Sequence, residues 1–462
     1  MNRIDFLEKI RNFYGGKLYP VLVALLIFLG HSFELELAFG VLMFLTVIIG
    51  CLFCNDLRFA ITPFMCTIFI VAINHSPNVP NYSRYYLEPH VLTVIIVTAV
   101  LVLASFLYFA IRNRHAMTSI PKRSMFWSMA ILCFVISFNG ILNKGYTLYN
   151  FFYVTSFYLS LLLVYWFFAA YINFDSRKIY DYFMYCLVVT GLLICSELMY
   201  AYFTTMRFDE AGKIIKESVL LGWGVWTAIG GMIAMLMPAC FYFAASHRFG
   251  WIGFFLGFFM YFCILVSQAR GALLFGSVSL LLCLITLFFF GKQRKRNRVL
   301  IIAILILGVA GGIFLREKIL SLISNFLANG FGDNGRFELW EIGWKHFTEY
   351  PIFGSGFYDS FINEEWLKDV YPYLYHNTVI QFLAACGVLG LCAYLFHRIS
   401  TLVLVLRRPS LYKTFMGIGI FGLLAVSLLD VLFFNTYPTI IYSLMLLFMD
   451  KQDGELLRAQ QI

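Results

Sequence analysis

Two arginines and one histidine in the second half of the chain have the types and positions best suited to chemistry. Arg270 stands in SQARGA, between two apolar runs, and Arg336 stands at the start of RFELWEIGWKHF. His376 directly precedes the apolar run that begins near residue 378. A guanidinium binds phosphate oxygens through two parallel N–H donors, and a histidine accepts a proton near neutral pH. These residues suit the binding of a diphosphate and the activation of a hydroxyl nucleophile.

Each of the three also has an ordinary structural explanation. Arg336 can be a solvated arginine or one paired with Glu338 or Glu341, and Arg270 can extend toward the membrane surface. A single histidine at a membrane surface is often structural. What favours chemistry is that Arg270, Arg336 and His376 are all predicted at the same face of the membrane. Other histidines are predicted at that face without arginines nearby: His31, His75, His90 and His346.

Further residues are predicted to contact a substrate. Asn377 and Gln381 are four positions apart, so their amides share one helical face and can orient a sugar. Trp340 follows Arg336 in an Arg-x₃-Trp motif. Asp430 is an acid in an apolar segment, where a charge is costly, and it is expected to neutralise an arginine or to hold a loop.

The rest of the sequence is that of a membrane protein. Of its 462 residues, 61% are hydrophobic, and apolar runs recur from about residue 18 to 450. Because such runs are long enough to cross a bilayer, we expect an all-α, polytopic helical bundle with about 12–14 transmembrane helices. Residues 1–462 are expected to form a single transmembrane domain whose first helix is not cleaved. The eleven cysteines lie mostly inside apolar runs, which argues against disulfides.

The basic residues predict how the bundle is oriented. Lysine and arginine are concentrated in the N-terminus, 112–123, 291–298, 397–413 and the C-terminal tail, which are therefore expected in the cytoplasm. Orientation accounts for the net charge of +9, so no nucleic-acid partner is expected. The long segment 316–375 then becomes an extracytoplasmic loop.

That loop is predicted to carry short amphipathic helices. The aromatic residues of its central part recur every three or four positions: Phe337, Trp340, Trp344 and Phe347. This spacing predicts a helix that lies on the bilayer surface. Asp333 or Asn334 is expected to cap its start, and Pro351 to end it. The GSG sequence at 354–356 is expected to turn the chain into a second short helix.

Taken together, the motifs resemble the bacterial O-antigen ligase and O-antigen polymerase superfamily. The resemblance rests on SQARGALLFG, then GRFELWEIGWKHFTEYPIFGSGF, then YHNTVIQFLAACGVLG, and it identifies residues 260–396 as a catalytic region. It implies a glycosyltransferase of the bacterial plasma membrane that needs neither a metal nor another cofactor. The implied donor is a glycan on undecaprenyl diphosphate, bound by Arg270 and Arg336. The implied base is His376, facing the periplasm or the cell exterior.

The acceptor and two rival functions stay open at this point. An acceptor hydroxyl on the lipid A core would make the protein a ligase, and one on a growing glycan would make it a polymerase; a protein acceptor is a third choice. A metal-dependent transferase of lipid-monophosphate sugars would use Glu34 and Glu36. A lipid-linked glycan flippase is the non-enzymatic rival, but transporters carry their polar groups near the bilayer midplane, whereas here they gather at one face.

Overall fold

The computed structural model is helical along almost all of the chain that it describes. It describes residues 3–71, 88–116, 124–143, 148–175, 178–210, 212, 214–215, 218–314, 316, 335–357 and 375–459. Among these residues, seven helices are long and apolar enough to cross a membrane, or eight if the bent pair Asp5–Tyr14 and Leu18–Ser32 forms one span. Shorter apolar helices accompany them. The predicted fold class, a polytopic all-α membrane protein, is confirmed.

The first half of the chain supplies the helices α1 (Arg3–Tyr14), α2 (Leu18–Ser32), α3 (Glu36–Phe53), α4 (Ile61–Cys66), α5 (Ile68–Val71), α6 (Pro89–Arg112), α7 (Phe126–Ile136), α8 (Leu148–Phe157), α9 (Val164–Tyr171) and α10 (Lys178–Thr204). A wide π-helical turn, Tyr158–Leu163, joins α8 to α9. The three pieces together form one span, Tyr153–Tyr171.

The second half supplies the helices α11 (Trp226–Leu236), α12 (Pro238–Ser246), α13 (Trp251–Val266), α14 (Arg270–Phe289), α15 (Arg294–Phe314), α16 (Arg336–Glu349), α17 (Thr378–Leu406), α18 (Leu411–Val426) and α19 (Thr436–Ala459). A two-stranded antiparallel hairpin, Leu220–Leu221 with Gly224–Val225, precedes α11. A 3₁₀ helix, Leu432–Phe434, precedes α19.

Some predicted spans differ from the observed helices. The apolar run at 59–73 is divided into α4 and α5, and the one at 221–245 begins with the hairpin and is divided into α11 and α12 at Met237. Helix α17 continues to Leu406, although 397–413 was expected to be a cytoplasmic loop. The apolar run that follows His397 and Arg398 keeps this part of the chain in the bundle.

The core of the bundle is formed by α10 to α12. Their apolar stretches are 78% buried in α10 and 89% buried in α11–α12, compared with 17% in α6, which leaves α6 at the lipid-facing edge. Helix α18 lies directly on α11 because glycines face the contact. A Cβ at Gly419 would come within 2.5 Å of the Met235 carbonyl oxygen, and one at Gly422 within 2.9 Å of the Ala234 carbonyl oxygen. Small residues allow such close approach of helices in membranes.

A buried ion group joins α17, α18 and α19 at one end of the bundle. The Asp453 carboxylate lies 2.8 Å from Arg407 Nε and 2.8 Å from Lys413 Nζ, and the side chains of Asp453 and Lys413 are almost completely buried. Buried charges of this kind need partners, because an unpaired one is strongly destabilising. The group therefore fixes the relative positions of the three helices.

Helix α17 is broken at Gly387, about a third of the way along, and a loop that precedes the helix in the chain fills the break. At Gly387 the backbone has φ 64° and ψ −164°, which is not helical. The loop, residues 351–356, carries the Pro-x-x-Gly-x-Gly sequence, and we call it the docking loop. The N–H of Val388, which cannot reach back along a broken helix, donates instead to the Pro351 carbonyl at 2.8 Å.

The docking loop also provides donors for the carbonyl groups that the break exposes. The N–H of Ser355 donates to the Ala384 carbonyl at 2.8 Å, and the N–H of Gly356 donates to the Ala385 carbonyl at 3.0 Å. Buried backbone groups without partners are costly, and most of all in a membrane. The docking loop is therefore part of the helix structure, a role that the sequence did not indicate.

Two glycines permit this docking. A Cβ at Gly354 would lie 2.3 Å from the Ala385 carbonyl carbon, and one at Gly387 would lie 2.3 Å from the Ile352 carbonyl oxygen. Both glycines also have positive φ, a conformation that side chains disfavour. The predicted second short helix after 356 falls mostly at 358–374, outside the described residues.

Candidate active site

The amphipathic helix predicted in the long loop is confirmed as α16, Arg336–Glu349. Its N-cap residue is Gly335, which has φ 76° and, as a glycine, provides no side-chain hydrogen bond to the first turn. The predicted caps, Asp333 and Asn334, lie outside the described residues. The helix ends at Glu349, shortly before Pro351, as expected. Arg336 is therefore its first residue, where the N–H groups are not yet hydrogen-bonded within the helix.

Helix α16 packs on the start of α17 through a face that differs from its aromatic face. Leu339 and Ile342 contact a small cluster around Tyr375 and Ala384. The absence of a side chain at Gly343 allows a close approach of the two helices. A Cβ at Gly343 would lie 2.5 Å from a methyl carbon of Ile380. By contrast, the side chains of Phe337 and Trp344 are 65% and 54% exposed, which suits a helix whose outer face meets a bilayer surface.

His346 lies on the packed face, where sequence reasoning did not place it. The sequence predicted His346 at the outer membrane face without arginines nearby and gave it no role. In the structure only 8% of His346 is exposed. Its Nδ1 forms a 2.5 Å hydrogen bond with the Tyr375 hydroxyl, and Tyr375 is itself 2% exposed. The spacing of His346 from Leu339, Ile342 and Gly343 was the signal that could have indicated burial, because all four share one helical face.

His376 stands between α16 and α17 in a strained conformation. Its φ is 48°, in the left-handed region, which costs a residue with a side chain about 1–3 kcal/mol. The ring is directed at the segment that joins α18 to α19, where Nδ1 lies 3.2 Å from Asp430 Oδ1. Strained residues of this kind persist only where their surroundings hold them, and they occur often at functional sites.

Asp430 is held in place from several sides. Its Oδ1 accepts a hydrogen bond from the N–H of Val431 at 2.8 Å, and its carboxylate also interacts with the side chain of Thr227 at the start of α11. Burial alone would raise the pKa of Asp430. Four interactions outweigh burial: the hydrogen bond and the charge interaction with His376, and the hydrogen bonds from Thr227 and Val431. Together they lower the pKa of Asp430 below its usual 3.8. Asp430 is therefore a carboxylate at neutral pH.

The amides of Asn377 and Gln381 have structural partners. Asn377 is the N-cap of α17, and its Oδ1 accepts hydrogen bonds from the N–H groups of Val379 and Ile380 at 2.9 and 3.1 Å. Gln381 is almost fully buried, and its Oε1 accepts from the N–H of Tyr375 at 3.0 Å. Both amides thus help to shape the turn around His376. Their predicted contact with a sugar stays a prediction.

Arg270 lies at the same end of the bundle as the His376–Asp430 pair. It is exposed and is the first residue of α14. The next residue, Gly271, packs on Leu429, since a Cβ there would lie 3.3 Å from a methyl carbon of Leu429. Leu429 directly precedes Asp430. The backbone of Arg270 therefore lies beside the segment that contains Asp430.

Arg336 and Trp340 lie one turn apart at the start of α16. Given a rise of about 1.5 Å per residue, Arg336 stands about 10 Å along the helix axis from the close contact at Gly343. Trp340 packs edge-to-face on Phe337, with ring centroids 5.3 Å apart. Its Nε1 is buried and has no hydrogen-bond partner among the described residues. An indole N–H in that state is suited to an acceptor atom of a ligand.

The alternative metal site at Glu34 and Glu36 gains no support. Glu34 is exposed with φ 56°, whereas the side chain of Glu36 is 2% exposed at the start of α3. In the part of the chain that the structure describes, no three histidine, cysteine, aspartate or glutamate side chains come together as metal ligands.

Comparison with known proteins bears on the same part of the chain. Residues 232–395 match the family model described as O-antigen ligase. The chain contains an O-antigen ligase domain. No curated protein gives a significant match. The match includes nearly all of the region 260–396 that the sequence motifs indicated, and the resemblance drawn from those motifs is confirmed.

The O-antigen ligase domain does not contain the whole candidate site. Arg270, Arg336 and His376 lie within 232–395, but Asp430 lies 54 residues after His376 in the chain. Thr227, which also contacts Asp430, precedes the matched residues. The domain therefore depends on flanking helices for the carboxylate that faces its histidine. The domain belongs to a multi-span membrane protein, and its family implies glycan transfer and lipid-linked glycan substrates.

Proposed function

We propose that this protein transfers a glycan from undecaprenyl diphosphate to an acceptor hydroxyl at the extracytoplasmic face of a bacterial plasma membrane. The observation that supports this most is the pairing of His376 with Asp430 beside the start of α14, at 3.2 Å. A histidine paired with a carboxylate is an arrangement suited to a general base. The O-antigen ligase domain supports the class of reaction.

The chemistry assigns one role to each side chain. With Nδ1–H donating to the Asp430 carboxylate, His376 presents the lone pair of Nε2, which accepts the proton of the acceptor hydroxyl. The acceptor oxygen attacks the anomeric carbon from the face opposite the diphosphate. The bond between that carbon and the phosphate oxygen breaks, and undecaprenyl diphosphate leaves with the bonding electrons. The anomeric configuration is inverted, and Asp430 stabilises the imidazolium that forms.

Arg270 and Arg336 bind the diphosphate. Negative charge grows on the bridging oxygen as the bond breaks, and fixed guanidinium groups stabilise that charge more strongly than they stabilise the bound donor. The N–H of Trp340 donates to a diphosphate or sugar oxygen one helical turn from Arg336. Because α16 has an exposed aromatic face, it would rest on the outer leaflet, from which the polyprenyl chain reaches the site. The reaction as written needs no metal.

The experiment combines purified protein in lipid nanodiscs with an undecaprenyl-diphosphate-linked glycan. One arm adds lipopolysaccharide that has a bare lipid A core, and the other adds only more donor, so that a ligase and a polymerase give different products. Release of undecaprenyl diphosphate and a product with inverted anomeric configuration, both unaffected by EDTA, are the expected results. Movement of labelled donor between leaflets of proteoliposomes, without diphosphate release, would identify a flippase and overturn the proposal.

A further inference from the structure

We infer that His346 and Tyr375 are positioning residues, which hold His376 against Asp430 by tying its backbone to α16. The inference rests on the proposed function, because His376 acts as a base only if the protein transfers a glycan. His346 and Tyr375 are both almost completely buried. Neither is therefore assigned a contact with substrate, and both act through His376.

The left-handed backbone of His376 is anchored on its C-terminal side by the start of α17. Thr378 donates twice to the Ser427 carbonyl, from its N–H at 3.1 Å and from its Oγ1 at 2.7 Å. Asn377 caps the helix at the same point. These contacts join the residues after His376 to the segment that carries Asp430. They do not hold the residue on the N-terminal side of His376, which is Tyr375.

Tyr375 provides that second anchor. Its N–H donates to Gln381 Oε1 at 3.0 Å, and its ring fits where Gly343 has no side chain, since a Cβ there would lie 2.9 Å from the ring. The hydroxyl at the far end of the ring forms the 2.5 Å hydrogen bond with His346 Nδ1. The main chain of Tyr375 is thus held by α17, and the far end of its side chain is held by α16.

The contact has a consequence for the reaction. Arg336 lies on α16 and His376 lies next to Tyr375, so the distance between the diphosphate site and the base depends on how α16 sits on Tyr375. A displacement of about 1 Å in a reacting group can cost on the order of 100-fold in rate. Loss of the His346–Tyr375 hydrogen bond should therefore lower the rate of transfer while leaving the donor-binding groups in place.

The test compares variants that keep or remove this hydrogen bond. Tyr375→Phe keeps the ring and loses the hydroxyl, His346→Leu removes the acceptor, and His346→Gln retains an acceptor oxygen. We expect Tyr375→Phe and His346→Leu to lower kcat about 10-fold, with the donor KM changed by less than about 2-fold. His346→Gln should keep more activity than His346→Leu. The double variant Tyr375→Phe/His346→Leu should be no worse than the poorer single variant.

The matched control is Tyr242→Phe, which removes a 2.6 Å hydrogen bond to Asp181 elsewhere in the bundle. It should leave kcat unchanged. An equal loss in Tyr242→Phe would mean that any lost tyrosine hydroxyl impairs the protein through stability. Wild-type kcat in folded Tyr375→Phe and His346→Leu, or additive losses in the double variant, would overturn the inference.

A second measurement does not depend on transfer. In NMR spectra of protein labelled with [¹⁵N]histidine, the eight histidines give separate ring signals. The signals that are missing from the His376→Gln variant are those of His376. Pairing with Asp430 should give wild-type protein a single tautomer with the proton on Nδ1, and Tyr375→Phe should average the two tautomers. If this change occurs in a protein that transfers no glycan, only the proposed function fails. If the signals of His376 are unchanged in Tyr375→Phe, the positioning role fails.

Discussion

His376 Nδ1 lies 3.2 Å from Asp430 Oδ1, although the two residues are 54 positions apart and belong to different helix junctions. The side chain of His376 is 43% exposed and that of Asp430 is 11% exposed. The imidazole is thus reachable from outside, while the carboxylate behind it is shielded. A base that must meet an incoming hydroxyl and keep a fixed orientation requires both conditions.

His376→Ala should lower the single-turnover rate by roughly 10²–10⁴-fold, the usual contribution of a positioned general base. Donor affinity should hardly change, because the arginines bind the donor. The measurements are donor binding and single-turnover transfer. His90→Ala, at an exposed histidine near the start of α6, is the control and should behave as wild type. Normal turnover with weak donor binding in His376→Ala would make His376 a donor ligand.

Arg270→Ala and Arg336→Ala should each lower transfer about 100-fold or more, because a developing negative charge loses a fixed cation. Lysine at either position should restore only part of the rate, since an ammonium lacks the planar pair of donors. Rates and donor KM in nanodiscs provide the measurement. Arg207→Ala, at an exposed arginine just after α10, is the control. Near-normal turnover in the Arg270→Ala/Arg336→Ala protein would contradict the diphosphate assignment.

Trp340→Phe should raise the donor KM about 10-fold, the effect expected when a hydrogen bond to a charged group is lost. The reason is that the Trp340 N–H has no acceptor among the described residues. Trp344→Phe, on the exposed face of the same helix, is the matched control and should leave KM unchanged. If Trp340→Phe lowers thermal stability without changing KM, the indole N–H serves a partner within the chain.

Asp430→Asn should lower thermal stability by roughly 1–3 °C at neutral pH, because a hydrogen bond to a carboxylate is lost. The pKa of Asp430 is below 3.8 in the folded protein. Because the pKa is lowered by folding, the carboxylate stabilises the fold at pH values above about 3.9, the pKa of an aspartate in the unfolded chain. This stabilisation is lost as the pH falls through the pKa of the folded protein. The difference from wild type should therefore persist from pH 8 to about 5 and shrink below about pH 4.

Thermal unfolding of wild-type and Asp430→Asn protein across that range checks the prediction. A difference that disappears between pH 7 and 5 would mean that Asp430 is not an ionised partner of His376.

Gly387→Ala and Gly354→Ala should destabilise the protein by at least about 3 kcal/mol each, since strain at positive φ and overpacking add together. The Cβ added at Gly354 would lie 2.3 Å from the backbone of α17 at Ala385, and the one added at Gly387 would lie 2.3 Å from the backbone of the docking loop at Ile352. The measurements are the yield of monodisperse protein and its thermal midpoint. Gly308→Ala is the control, because a Cβ at Gly308 in α15 would meet no described atom within 4 Å. Normal yield of Gly387→Ala would contradict the role of the break.

Hydropathy was enough to predict where most helices occur, and motif composition indicated candidate residues for chemistry. Helices occur in the described parts of each predicted apolar span, and α16 lies where the aromatic spacing placed it, because these signals are local in the chain. Arg270 and His376 were selected by residue type at the ends of apolar runs, and Arg336 was selected at the start of the predicted amphipathic helix. Their roles in transfer remain proposals.

Only the tertiary structure decided which polar groups meet. The local sequence does not show whether Asp430 pairs with His376 or with an arginine. The pairing depends on how α17, α18 and α19 pack. The same holds for His346, whose neighbour Tyr375 comes from beyond the docking loop. Local patterns specify where a helix begins and which face is apolar. The contacts between helices depend on close packing at glycines and on a broken helix completed by a distant loop, and these exist only once the chain has folded.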